Sequence, residues 1–173
     1  QAHRLGIHLT LCSGRLADDA SLFASMAGLP VSVIALNGAC ILGKPFGPIL
    51  RVNHIASDEA MFLHEMLTQM NVTYAAFCDH DLYVREKDPT PDSVWGTYLT
   101  HPQSRTRVFR SPYDPEALIQ RGVCKFVAFD PLPDGLLHTL QKKVLATYSQ
   151  VDVTSSWLNN LEIISRGCNK GTG

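Results

Sequence analysis

Apolar and polar positions alternate over residues 7–12, Ile-His-Leu-Thr-Leu-Cys, and the run stops at Ser13-Gly14, the pattern of a strand entering a turn. Leu16, Ala20, Phe23 and Ala27 then recur along one side of a helix over residues 16–27, with Gly28 as its stop. Residues 31–36 follow Pro30 and are apolar except for Ser32, as expected of a strand covered on both faces. Strand, helix and strand joined by short links make a βαβ unit, which requires parallel pairing.

The pattern then changes. Residues 37–42 and 47–50 flank a Gly/Pro-rich turn and predict a hairpin. Residues 58–71 form an amphipathic helix, with Leu63, Met66, Leu67 and Met70 at i, i+3, i+4 and i+7. Strands at 72–78 and 82–84 bracket the turn Asp79-His80-Asp81. Residues 86–112 are polar and punctuated by proline, and their only aromatics are Trp95, Tyr98 and Phe109. A short helix at 115–121, a strand at 124–129, a helix at 136–146 and strands at 148–155 and 160–165 complete the pattern. A turn at Gly167 follows, and Lys170 stands where a helix should start.

These elements predict an α/β protein: a partial Rossmann-like parallel sheet core, residues 1–44 and 161–173, interrupted by a large inserted α+β region, residues 45–160. The chain opens in what reads as the last turn of a helix and stops where another should begin. It is therefore expected to be a piece of a longer protein.

Composition narrows the function. Of 173 residues, 45% are hydrophobic, enough for a sizeable core, and the net charge of -1 gives no basic face for nucleic acid. No apolar run reaches bilayer-spanning length. The five cysteines are spread without a CxxC pair and mostly sit beside apolar residues. They predict reduced thiols and a cytoplasmic protein. The seven histidines show neither HExxH nor zinc-finger spacing, and no Walker, GxSxG or GxGxxG pattern occurs. Asp79-His80-Asp81 has carboxylates at i and i+2, but in a turn such groups usually accept from backbone amides.

Three short segments carry candidate chemistry. Ser13-Gly14-Arg15 ends the first parallel strand, at the sheet edge where open α/β folds bind ligands. A serine hydroxyl and the following amides can hold a phosphate there; serine before a glycine turn is also an ordinary helix cap. Asn37-Gly38 ends the next strand at the same edge, and Asn-Gly is also a frequent turn pair. Lys170, after Gly167 and Asn169, adds an ammonium at a helix start, where amides and charge converge on one anion.

Taken together, Thr10-Leu11-Cys12-Ser13-Gly14-Arg15, Ile34-Ala35-Leu36-Asn37-Gly38-Ala39, and Leu161-Glu162-Ile163 followed by Gly167-Cys168-Asn169-Lys170-Gly171-Thr172 resemble successive motifs of one family. It is the Cof-like sugar-phosphatase branch of the haloacid dehalogenase-like hydrolases, and the inserted region resembles that branch's large cap domain. The resemblance implies a magnesium-dependent phosphatase that acts on small phosphorylated metabolites, sugar or cofactor phosphates, through an aspartyl-phosphate. By motif match, Ser13 would bind the phosphoryl oxygens, and Lys170 would neutralise them and orient the nucleophile. Gly14, Arg15, Asn37 and Gly38 would shape the pocket floor. The family's Asp-x-Asp-Gly-Thr and Gly-Asp-x-x-Asn-Asp motifs do not occur in these 173 residues. The nucleophile and the Mg2+ ligands are therefore expected in segments outside this chain, none of its residues is a candidate metal ligand, and the chain alone is expected to be inactive. The alternatives are a non-catalytic module or degenerate relative that binds a phosphorylated ligand, and a phosphomannomutase-like isomerase. The 79–85 hairpin, with Tyr83, and the Trp95–Tyr98 region are the expected surfaces for substrate selection.

Overall fold

The computed structural model describes residues 2–28, 30–86, 104–130, 135–156 and 158–173. Trp95 and Tyr98 lie outside the described residues. The first strand β1 (Thr10–Cys12), helix α1 (Ala17–Met26) and strand β2 (Ser32–Ala35) form the expected βαβ unit, with Thr10, Leu11 and Cys12 in parallel register with Ser32, Val33 and Ile34. The predicted hairpin is β3 (Cys40–Leu42) and β4 (Ile49–Val52). It adds antiparallel to β2 and gives a four-stranded sheet of order β1-β2-β3-β4.

The remaining elements are α2 (Ser57–Gln69), β5 (Thr73–Phe77), β6 (Asp81–Arg85), β7 (Arg107–Arg110), α3 (Pro115–Gln120), β8 (Lys125–Phe129), α4 (Leu136–Thr147), β9 (Val151–Thr154) and β10 (Asn160–Ser165). The strands make a second sheet, six-stranded among the described residues, in the order β7-β6-β5-β8-β10-β9. Strand β7 was hidden in the polar segment because its four residues, Arg-Val-Phe-Arg, are mostly exposed at a sheet edge.

Strand alternation explains how the layers stack. Tyr74, Ala76, Phe126, Ala128, Leu161 and Ile163 share one buried cluster with Leu63 and Leu67 of α2 and Leu140 and Val144 of α4. Ala75, Phe77, Leu82, Val84 and Val127, on the opposite face, share a cluster with Leu16, Ala20, Ala35, Leu36 and Cys40. The second sheet is thus covered by helices on one face and by the βαβ layer on the other. That is why its central strands read as unbroken apolar runs.

Sheet membership departs from the expected division at both ends. Residues 49–52 complete the first sheet, and β10 lies inside the second, between β8 and β9. Strand β10 belongs there because Leu161 and Ile163 fill the helix-covered face while Glu162 turns to the other, where a buried lysine waits.

Candidate active site

The loops that end β1 and β2 are fastened to each other by the backbone. Ser13 N–H donates to Ile34 O at 2.8 Å, Asn37 N–H to Ser13 O at 3.1 Å, and Leu36 N–H to Arg15 O at 2.9 Å. The Ser13 hydroxyl oxygen accepts from the Arg15 amide at 3.1 Å. That bond orients the oxygen and leaves its proton available to a ligand. These bonds hold an uncommon backbone, since Leu36, Asn37 and Gly38 all have positive φ, at 51°, 59° and 104°. For a non-glycine residue such a conformation costs about 1–2 kcal/mol, and strain of this kind tends to gather at functional loops.

The C-terminal turn closes on this rim. A Cβ on Gly38 would strike the carbonyl of Asn169, so the two backbones lie directly against each other. The Cys12 thiol approaches Lys170 O at 3.6 Å, and Gly173 sits near Ile34. Residues 170–172 form a turn. Asn169 Oδ1 accepts from Gly171 N–H at 2.9 Å and Asn169 O accepts from Gly173 N–H at 3.3 Å. Those are the bonds of a helix cap and a first helical turn. Gly38→Ala is expected to cost about 1–3 kcal/mol in a denaturant titration, because the left-handed φ and the Asn169 carbonyl both oppose a methyl group; an unchanged midpoint would show that the two loops are not in contact.

A cleft of about 500 Å³ opens here, lined by Asn37, Asp152, Ser156, Glu162, Asn169 and Lys170 among others. Ser13, Gly14 and Arg15 are half-buried behind it, with the Arg15 guanidinium 4.8 Å from the centre of the Phe23 ring. The structure thus brings Asn37, Gly38 and Lys170 together, with the Ser13 loop bonded to the Asn37 loop; of the expected site residues only Asn37 and Lys170 line the cleft, and Ser13, Gly14, Arg15 and Gly38 do not.

Behind the cleft lies a charged cluster that the sequence pattern hid. Lys125 Nζ sits 3.1 Å from Glu162 Oε2 and donates to Gly14 O at 2.9 Å. Asn37 Nδ2 donates to the same Glu162 oxygen at 2.7 Å, and Ser156 Oγ to Glu162 Oε1 at 2.7 Å. The Lys125 and Glu162 side chains are only 4% and 8% exposed, so these bonds act in a low-dielectric interior. Burial pulls the Lys125 ammonium below its ordinary value, the Glu162 charge opposes that, and the Lys170 charge adds to it. Burial pushes the Glu162 carboxyl up, but the Lys125 charge and the bonds from Ser156, Lys125 and Asn37 outweigh it and hold the group below the usual carboxylate range. The available signal was a lone lysine in one apolar strand and a lone glutamate in another. In the β8–β10 register Lys125 pairs with Ile164, which makes Glu162 its diagonal neighbour on the same face.

The sequence profile of the haloacid dehalogenase-like hydrolases matches residues 1–173. This chain belongs to that family. No curated protein matches it. Among solved structures, this haloacid dehalogenase-like hydrolase is similar to one of the same description from Bacillus subtilis, at a TM-score of 0.79 and 20% identity, over 99% of this chain and 66% of that one. It is similar to TM0651 from Thermotoga maritima, at 0.76 and 22%, over 97% and 60%. It is also similar to the subclass IIB sugar phosphatase BT4131, at 0.71 and 14%, over 99% and 62%. The chain therefore spans less than two thirds of the length of these structures. At such identities the likeness is one of fold, and it bears out the α/β class; the superfamily resemblance is borne out by the family profile.

Magnesium, which the resemblance implies, takes a near-octahedral set of oxygens. The carboxylates of the cleft are otherwise committed: Glu162 to Lys125, Ser156 and Asn37, and Asp152 Oδ2 to the Gly167 N–H at 2.8 Å. The residues that this hydrolase brings to its cleft do not make a magnesium site. Its five cysteines carry free thiols. Among the described residues no helix is long and apolar enough to cross a membrane.

One expectation about the 79–85 hairpin is overturned. Tyr83 is 3% exposed and stacks on Phe109 with ring centres 4.7 Å apart. A strand position facing the helices, in the second buried cluster, leaves it no route to a substrate.

Proposed function

We propose that the protein is a phosphatase of small phosphorylated metabolites, of the Cof-like kind, with the Lys170 cleft as the phosphate-binding end of its active site. The observation that carries this is the contact between Gly38 and the Asn169 backbone, which sets the Lys170 turn against the strand ends that carry Ser13 and Asn37. Lys170 is exposed beside the cleft, and its charge reaches Lys125 behind it. An anion at this rim would meet an ammonium, the Ser13 hydroxyl and the loop amides. Such preorganised groups stabilise a phosphoryl group as charge builds on it. The first sheet and the Lys170 turn would form the catalytic core, and the six-stranded sheet with its helices the cap.

The fuller reading is magnesium-dependent transfer to an aspartate, whose segment, like the metal's carboxylate ligands, would lie outside these 173 residues. Ser13 and Lys170 would then bind and orient the phosphoryl group, while Gly14, Arg15, Asn37 and Gly38 shape the loop beneath it.

The test is release of free phosphate from p-nitrophenyl phosphate by the full-length protein with magnesium, followed by a screen of sugar and cofactor phosphates. Turnover without a bisphosphate activator is the expected result. Strict dependence on a bisphosphate would favour an isomerase. Phosphate binding with no release from any ester would favour a non-catalytic module. The latter reading has one observation behind it: both carboxylates named in the cleft are tied up in internal hydrogen bonds.

A further inference from the structure

A second group of chemistry-bearing side chains lies away from the Lys170 cleft, where the chain passes from one sheet to the other. His54 sits on that crossover. Its neighbour Asn53 donates its N–H to Ala39 O of the first layer at 2.8 Å, and Ile55 donates its N–H to Val123 O of the second at 2.7 Å. Asp79 follows β5, and Cys124 precedes β8 with its N–H bonded to Phe77 O at 2.8 Å. Three separate segments thus converge. His54 Nε2 lies 2.8 Å from Asp79 Oδ1, and Cys124 Sγ points at the same oxygen from 3.4 Å. All three atoms fall within 4.8 Å of one another.

The site is built from both sides. Any Cβ at Gly122, whose φ is +75°, would meet the His54 ring at 2.6–2.8 Å, so the imidazole rests on a residue that has none. Cys124 is fully buried, whereas the His54 and Asp79 side chains are 35% and 25% exposed. One wall is therefore a dry thiol and the opposite side is open to water. Burial pushes the Cys124 thiol up, and the Asp79 charge and hydrogen bond push it further; Cys40 and Cys78 are close enough to add to that.

We propose that His54, Asp79 and Cys124 form a site for a thiophilic divalent cation such as zinc, with the fourth position open to solvent. Bond lengths of about 2.0–2.2 Å to N and O and 2.3 Å to S place tetrahedral ligands roughly 3.3–3.7 Å apart. The sulfur–oxygen pair already fits, and the nitrogen–oxygen pair must open by about half an ångström, which a partly exposed imidazole can do. Binding replaces the thiol proton, which leaves to solvent, so affinity rises with pH. Thiolate with imidazole selects zinc over magnesium, which prefers oxygen alone. A cation here would fasten the crossover to two loops of the second sheet, independently of the phosphatase reading.

The test is titration of metal-stripped, reduced full-length protein with Co2+, followed in the near ultraviolet for the thiolate-to-cobalt charge-transfer band. One equivalent should bind, Zn2+ should displace it, and a large excess of Mg2+ should not. Cys124→Ser should abolish the band, and His54→Gln should weaken binding at least ~10-fold. His54 is exposed, so its variant keeps the test decisive even where Cys124→Ser does not fold. Absence of the band, its survival in Cys124→Ser, or unchanged affinity in His54→Gln would each overturn the proposal.

Discussion

Replacing Glu162 by alanine is expected to destabilise the protein by about 3–5 kcal/mol, which at ~2–4 °C per kcal/mol is a fall in melting temperature of roughly 6–20 °C. The cause is what remains. The Lys125 ammonium stays buried beneath the βαβ layer with Gly14 O as its remaining hydrogen-bond partner among the described residues, and Asn37 and Ser156 lose their acceptor. A buried charge without its partner costs far more than the pair was worth. The double variant Lys125→Met/Glu162→Leu removes both charges and should recover at least half of the loss. Acid supplies the same comparison in the wild type. The Glu162 pKa is depressed in the folded state, so its contribution is fully present above the ordinary glutamate value of about 4.3 and fades as pH falls through the depressed one. The stability gap between wild type and Glu162→Ala should therefore narrow in strong acid. A gap below about 1 kcal/mol at neutral pH would place the pair in water and remove it as a link between the two layers.

The elements were legible wherever burial imposed a period. The 3.6-residue repeat of Leu63, Met66 and Leu67 predicted α2, and the apolar run through Phe126 and Ala128 predicted β8. The turns that carry Asn37 and Lys170 were legible too, because both end apolar segments, and the structure sets those two turns against each other. Pairing was not legible. Strand β10 reads equally well as a partner of either sheet, since a continuous apolar run carries no direction and no register. The choice is made by contacts distant in sequence, above all Glu162 with Lys125 and Asn37. The metal-ready group at the crossover was missed for the same reason. His54, Asp79 and Cys124 are 25 and 45 residues apart and share no motif spacing. The turn Asp79-His80-Asp81 gave no local hint of it, since its other two members go elsewhere: His80 pairs with Asp18 of α1, and Asp81 with Arg107 of β7.

On the proposed phosphatase reading, Lys170→Met in the full-length protein should lower turnover at least ~100-fold while leaving the fold intact. Lys170 is exposed, and among the described residues it forms no ion pair, so little of the packing depends on it. A surface substitution of this kind normally changes stability by no more than about 0.5 kcal/mol. The expected loss arises instead from position. The Asn169 cap and the Gly38 contact fix the turn that carries Lys170, so its ammonium can meet an anion at the rim without first being ordered. Preorganised charge of this kind favours the transition state over the bound substrate, and the loss should fall on kcat more than on KM. Lys170→Arg keeps the charge on a wider, planar head group and should restore only part of the rate. The buried Lys125 offers no substitute, because its charge is already spent on Glu162 and Gly14. A near-normal rate in a correctly folded Lys170→Met protein would mean that this cleft is not where the phosphoryl group is held. Loss of rate together with loss of fold would mean that the lysine packs rather than binds.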